Sequence, residues 1–193
     1  MNDVPVIDDV GARFEDKLKI GRVAENEIVA WLRSRGNGVV TVYEIEHKSG
    51  LGPRFFGKDR AFIAPDILLF NGGGRVLWCE TKHKTVFSWY RLDGCWETGI
   101  DSQHYDEYLK VAEETGLPVW LVFLHRTSTP SADDLKHNCP LSCPVGLFGG
   151  DLDYLKNNIS HRNDKYGPSG MVYWAHETLL KLADLKDVQR DAA

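Results

Sequence analysis

The chain is 193 residues long, with a formal net charge of −5, 42% hydrophobic and 26% charged residues; that is enough for one domain with a good core, short for two, and ordinary for a globular protein. No stretch approaches the roughly eighteen consecutive apolar residues of a membrane span, and Met1-Asn2-Asp3-Val4-Pro5 has no basic region leading into an apolar one, so no secretory signal is visible. The four cysteines (Cys79, Cys95, Cys139, Cys143) make no disulfide framework, and a reduced, cytoplasmic setting without a membrane partner is expected.

In chain order, Phe14 to Arg35 reads as a helix. Ile20, Ala24, Ile28, Trp31 and Leu32 recur at helical spacing, and Gly36 follows where a left-handed residue ends a helix. Glu25 lies three, four and seven positions before Ile28, Val29 and Leu32, so it borders the inward stripe. A carboxylate at the edge of a core needs a reason; Glu27 is more easily solvated. Val39 to Tyr43 is a β-branched strand that continues to about Glu46. From His47 to Ala64 the glycines, Pro53 and the embedded Phe55-Phe56 read as a loop or a hairpin extension. Ile67–Phe70 and Val76–Cys79 are short apolar runs joined by Asn71-Gly72-Gly73-Gly74, which predicts a β-hairpin.

Thr85 to Gly99 is aromatic and irregular. A helix then begins at Asp101 or Ser102 and stops at Gly116, and Pro118–Leu124 is a buried strand. Beyond it, Thr127 to Gly150 is loop-rich; a helix near Asp151–Arg162, a short strand Met171–Trp174 and a last helix Glu177–Leu185 follow. Helix, strand, hairpin, helix and strand in that order predict an α/β sandwich with a mixed central sheet flanked by helices. A single domain over 1–193 is expected, with its core over about 14–125 and a C-terminal α/β elaboration over about 126–193.

The chemistry concentrates at the hairpin. Pro65-Asp66 opens its first strand, and Glu80-Thr81-Lys82 extends its second. An antiparallel hairpin brings those ends together, and strand alternation puts Glu80 and Lys82 on one face. Two carboxylates and an ammonium converging there suit a hard cation beside a fixed positive charge, as phosphodiester hydrolysis requires. The plainer alternative is a cross-strand ion pair, which contributes little when exposed and leaves Glu25 unexplained. Local charge agrees with the first reading. From His47 to Arg91 eight Lys/Arg stand against three acids, a local +5 that leaves −10 for the remainder. A basic segment on an acidic body fits local capture of a polyanion, and chance clustering on a solvated face is the alternative.

These residues resemble the PD-(D/E)XK nuclease superfamily, the restriction-endonuclease-like fold, from about Gly21 to Leu124. Pro65-Asp66 matches the first half of its motif, Glu80-Thr81-Lys82 the second, and the element order its αβββαβ core. Gly21, Glu25 and Gly36 are similar to the opening pattern of archaeal Holliday-junction resolvases, and Gln103 matches a glutamine that many members carry on the helix after the motif. The long basic loop before Pro65, the aromatic stretch after Lys84 and the C-terminal third depart from the minimal resolvases.

The resemblance implies a metal-dependent endodeoxyribonuclease using Mg²⁺ or Mn²⁺. Asp66 and Glu80 would be direct ligands, the Thr81 backbone carbonyl a third, and Glu25 a ligand to a second metal or to a metal-bound water. Lys82 would orient the attacking water, and Gln103 would position water or phosphate. Lys48, Arg54, Lys58, Arg60 and Lys84 are candidate nucleic-acid contacts. Phe55, Phe56, Trp89 and Trp96 either stack on unpaired bases or pack in the core. A narrower reading is a resolvase of branched DNA (a Holliday junction or flap), which predicts a homodimer because paired cuts need two sites. A third is a catalytically inert nucleic-acid-binding or assembly module. The acidic body also admits a protein partner that supplies DNA affinity. His137, Cys139, Cys143 and His161 offer zinc-ligand types at a spacing that matches no familiar zinc module.

Overall fold

The computed structural model describes residues 9–42 and 53–192, with side chains from residue 21 onward. The first helix, α1 (Asp9–Ser34), ends at Gly36, whose φ of 81° is open to glycine at little cost. Strand β1 (Gly38–Thr41) follows; the predicted continuation to Glu46 lies mostly outside the described residues, as does Lys48. The glycine-rich segment after it carries a small hairpin of its own, β2 (Arg54–Phe56) on β3 (Ala61–Ile63).

The predicted hairpin is present as β4 (Ile67–Phe70) and β5 (Val76–Lys84), paired from Ile67↔Cys79 to Phe70↔Val76. Its turn is set by Asn71, whose Oδ1 accepts from the Gly73 and Arg75 amides. The helix α2 (Ser102–Thr115) starts on an Asp101 N-cap, whose carboxylate accepts from the Gln103 amide, and ends at Gly116 with φ of 64°. Strand β8 (Val119–His125) then runs parallel to β5.

In one six-stranded sheet the order is β1-β4-β5-β8-β9-β12, where β9 is Gly146–Asp151 and β12 Leu180–Ala183. Only β5 and β8 are parallel, so the sheet is mixed, and α1, β1, β4, β5, α2 and β8 stand in the expected αβββαβ order. Alternation along β8 divides the core. Val122 and Leu124 face α1, packing with Ala24, Ile28, Leu32, Ile67 and Cys79; Leu121 and Phe123 face α2, packing with Tyr105, Tyr108 and Val111.

Several expectations after residue 85 are corrected. The stretch read as irregular is a hairpin, β6 (Ser88–Tyr90) on β7 (Cys95–Asp101), joined by Arg91-Leu92-Asp93-Gly94 and held by the edge-on Trp89–Trp96 pair across the strands. With β10 (His161–Asn163) and β11 (Met171–Ala175) it forms a second sheet, ordered β10-β11-β7-β6, that closes the α2 side of the core. The end of the loop-rich segment is the buried strand β9; a Cβ at Gly149 would lie 2.8 Å from the Leu121 carbonyl oxygen, so this glycine permits the close strand approach. The helix read as Asp151–Arg162 stops much sooner: α4 (Leu152–Lys156) follows a one-turn α3 (Ala132–Leu135), and the Asn157 and Asn158 amides bond back to the Asp153 and Tyr154 carbonyls. The helix read as Glu177–Leu185 is a 3₁₀ turn (His176–Thr178) and β12, with α5 (Leu185–Asp191) beyond; sheet pairing with β9 overrides helical periodicity there.

Candidate metal and phosphate site

The site is built where the strands of the first hairpin differ in length. Strand β4 begins at Ile67, opposite Cys79, whereas β5 continues to Lys84. Past Cys79 the β5 edge facing β4 therefore has no strand partner among the described residues. Asp66 fills that edge: its Oδ2 accepts from the Thr81 amide and from Thr81 Oγ1, each at 3.0 Å. Glu80 reciprocates, its Oε2 accepting from the Asp66 amide at 3.3 Å. Each carboxylate is thus held by the other residue's strand. In an extended strand the N–H and C=O of one residue point the same way, so the Thr81 carbonyl faces the edge that Asp66 occupies.

Glu80 is 1% exposed and its Oε1 is ion-paired with Lys82 Nζ. Burial alone would lower the Lys82 pKa, but Glu80, Asp66 and Glu25 outweigh it, and the ammonium is held well above its usual range. Asp66 moves the other way. Burial and the Glu80 charge push it from 3.8 to about 7, against the pull of Lys82 and the Thr81 hydrogen bonds. Glu25 approaches from α1; burial and then Asp66 raise its pKa to about 7, with Lys82 and Arg22 opposing. The three predicted carboxylates and Lys82 are therefore electrostatic neighbours.

The donor set fits a hard divalent cation. Two carboxylates and a main-chain carbonyl are oxygen ligands of the kind Mg²⁺ and Mn²⁺ prefer. Among the described residues Asp66 Oδ1 accepts no hydrogen bond, and buried Glu80 Oε1 has no well-formed one beyond its ion pair. Like-charged carboxylates pushed toward protonation are relieved by a cation. No three His, Cys, Asp or Glu side chains among the described residues form a metal cage, so side chains alone do not make a complete ligand set here.

Gln103 is placed differently from its neighbours. It is exposed in the first turn of α2, where its amide donates to Asp101 Oδ1 and Ser169 Oγ, both at 2.9 Å. At about 100° per residue, Gln103 is turned about 140° from buried Tyr108 and His104 only about 40°. His104 accordingly feels Lys82, Asp101 and Asp66; burial and Lys82 keep its pKa below the usual value and its ring neutral. Tyr108 is fully buried, and its hydroxyl is held protonated by burial first and then by Glu80 and Asp66. Neither residue was singled out from the sequence, although their i, i+4 spacing on the inward face of α2 is a readable signal.

The other candidates divide by partner. Arg60 is committed within the chain, 2.9 Å from Glu107 Oε1 and stacked over the Phe62 ring at 4.4 Å. Lys58 is exposed beside the β2–β3 turn, Arg54 is half-buried on β2, and Lys84 is half-buried at the end of β5. Phe55 packs on Phe62 and Trp78, and Trp89 on Trp96; Phe56 alone of these aromatics is broadly exposed, at 75%. Cys139 and Cys143 are buried free thiols, while His161 sits on β10 stacked between Tyr90 and Tyr173. Among the described residues no helix is long and apolar enough to cross a membrane.

No protein-family model and no curated protein sequence matches the chain. Among solved structures it is similar to Hjc of Archaeoglobus fulgidus, a Holliday junction resolvase from an archaeal hyperthermophile, with 11% identity and a TM-score of 0.48 over 84% of this chain and 97% of the other.

Proposed function

We propose that the chain is a metal-dependent deoxyribonuclease of the PD-(D/E)XK kind, hydrolysing phosphodiester bonds with Asp66, Glu80 and the Thr81 carbonyl holding Mg²⁺ or Mn²⁺. The observation that carries this reading is the reciprocal clasp of Asp66 and Glu80 beside the Lys82 ammonium. An ordinary ion pair needs one acid for one base. Here three acids surround one lysine, and two of them are held at pKa values near 7.

Hydrolysis forms a bond from water oxygen to phosphorus and breaks the bond to the leaving strand oxygen; the water loses a proton and the leaving oxygen gains one. A divalent cation bound at the clasp would favour deprotonation of water and offset charge on the phosphoryl oxygens. Lys82 stays charged, so it orients water and draws in the phosphate; it does not serve as the proton acceptor. Glu25, whose carboxyl feels Asp66 and Lys82, would hold a second cation or its water. His104, which feels the Lys82 and Asp66 charges, would steady water, while Gln103 would meet phosphate from the solvent side.

Incubation with supercoiled, linear, branched and single-stranded DNA in Mg²⁺ or Mn²⁺ tests the proposal. Cleavage that disappears in Asp66→Ala and Lys82→Ala is expected; no cleavage of any substrate, or unchanged activity in both variants, overturns it. Absence of Mn²⁺ binding by calorimetry would favour the inert assembly module. A resolvase of branched DNA is a second reading, supported by Glu25, which the Gly21–Glu25–Gly36 pattern singles out and which, on α1, feels the Asp66 and Lys82 charges. It predicts preference for junctions and a homodimer in solution.

A further inference from the structure

Strand β5 carries a second lysine on the face of Glu80 and Lys82. Lys84 lies two residues beyond Lys82, about 7 Å along an extended strand. Among the described residues its ammonium has neither a carboxylate nor a hydrogen-bond partner, and the residue is half-buried. This contrasts with Lys82, Arg60 and Arg126, which are paired with Glu80, Glu107 and Glu27 respectively.

The charge that acts on Lys84 is the like charge of Lys82. It ends β5 beside its parallel neighbour β8, where Lys84 and His125 are in register. His83, on the opposite face of β5, feels both Lys84 and Arg126, and His125 feels Lys84, His176 and His83. The acids of this group are already engaged: Glu27 Oε2 lies 2.6 Å from Arg126 Nη1, and Glu177 Oε1 3.9 Å from His176 Nδ1. His125 is fully buried against Phe87, the rings 3.5 Å apart at the centroids, and neither ring nitrogen makes a well-formed hydrogen bond. Burial, followed by Lys82, lowers the Lys84 pKa to about 8, as expected of a cation lacking its anion. The carboxyl ends of parallel strands are where open α/β sheets bind their ligands.

We propose that Lys84 is the centre of a second phosphate subsite, which takes the internal phosphodiester next to the one at the carboxylate clasp. The strand would then run along β5, one phosphate at Lys82 and its neighbour at Lys84, because the two-residue repeat of a β-strand is similar in scale to the spacing of successive phosphates on an extended strand. This deepens the nuclease reading and rests on it for the position of the first phosphate. It makes an extended single strand, or a locally opened duplex, the substrate form that both lysines can follow.

The test is equilibrium binding of the full chain to fluorescent single-stranded and duplex oligonucleotides in Ca²⁺, by anisotropy over a salt series. Lys84→Met should weaken single-strand binding about tenfold and make the salt dependence shallower by about one counterion, and Lys84→Arg should restore most of both. On a strand carrying methylphosphonates throughout, wild type and Lys84→Met should bind alike, and a 5′-terminal phosphate should not alter the affinity of either. A Lys84→Met protein that melts like wild type yet binds with undiminished affinity and salt slope overturns the subsite, as does binding that depends on a terminal phosphate. If Lys84→Met fails to fold, Lys84→Gln is scored by the same rule. Cleavage separates the two proposals: loss of the binding effect with cleavage intact removes the subsite alone, and a retained binding effect with no cleavage of any substrate removes the nuclease reading alone.

Discussion

Replacing Asp66 with asparagine removes a charge while keeping an oxygen that can accept from the Thr81 amide. In the metal-free protein the Asp66 pKa is raised from 3.8 to about 7, by burial first and by Glu80 second. A carboxyl whose folded pKa exceeds its unfolded one is bound to its proton more tightly in the native state. The associated stability is fully present below about pH 4 and is lost as pH rises through about 7. The gap corresponds to at most about 4 kcal/mol across that window, an upper bound because the raised pKa of Glu25 is coupled to the Asp66 charge. Urea unfolding followed by tryptophan fluorescence, in a chelator, at several pH values from about 4 to 8 should show wild type losing ground to Asp66→Asn as pH rises. Saturating Mg²⁺ at high pH should recover about 2–3 kcal/mol in wild type at a hundredfold excess over its dissociation constant, and little in the variant. A difference between the two proteins that does not change with pH in chelator would refute the reasoning, because Asp66 would then be ionised throughout.

Four further outcomes are expected. Lys82→Ala should reduce single-turnover cleavage by about 10²–10⁴, and Lys82→Arg should restore only part of it if orientation of a water, beyond charge alone, is at stake; equal activity in all three proteins would contradict the assigned role. His104→Ala should lower the cleavage rate more than Gln103→Ala does, because His104 lies near the buried face of α2 and feels Lys82 and Asp66 whereas Gln103 is exposed; the reverse order would return that role to Gln103. Asp101→Ala should cost about 1–2 kcal/mol in urea unfolding through loss of the α2 cap and of the Ser169 contact. Tyr108→Phe should cost about 1 kcal/mol, since its hydroxyl neighbours Glu80 in a buried setting, and a loss near zero would place that hydroxyl in water.

Much of the αβββαβ core could be read from the sequence because its signals are local. Gly36 and Gly116 end their helices, Asp101 caps α2, and Asn71 with three glycines turns the hairpin. The C-terminal third was read poorly because its elements depend on partners distant in sequence. Gly146–Asp151 is strand only because β8 and β12 flank it, and Leu180–Ala183 only because β9 offers an edge. At the site, Asp66, Glu80 and Lys82 were visible as a motif on strands of known direction. His104 and Tyr108 were not, since choosing among neighbouring positions in the first turns of a helix requires knowing which face is inward. The aromatic residues from Phe87 to Trp96 were ambiguous for a related reason: cross-strand pairing and base stacking favour the same side chains.

The unequal lengths of β4 and β5 connect fold to chemistry. Had the two strands been paired to the end of β5, the Thr81 amide and carbonyl would be spent on the sheet ladder and Asp66 would have no fixed donor. The overhang leaves one residue of main chain free to orient a carboxylate, and it does so at a place where burial and the charge of Glu80 oppose ionisation. The same overhang carries Lys82 and Lys84 past the end of β4 on the face shared with Glu80. Ending β5 earlier would leave the hydrophobic pairing of Ile67–Phe70 with Val76–Cys79 intact, but it would remove the ammonium groups together with the β5–β8 pairs from Glu80↔Leu121 to Lys84↔His125. The β4 pairing and the anion-binding ammonium groups therefore reside in different halves of one strand, and side-chain substitutions at half-buried Lys82 and Lys84, which keep the main-chain pairing with β8, can change binding or cleavage without dismantling the sheet.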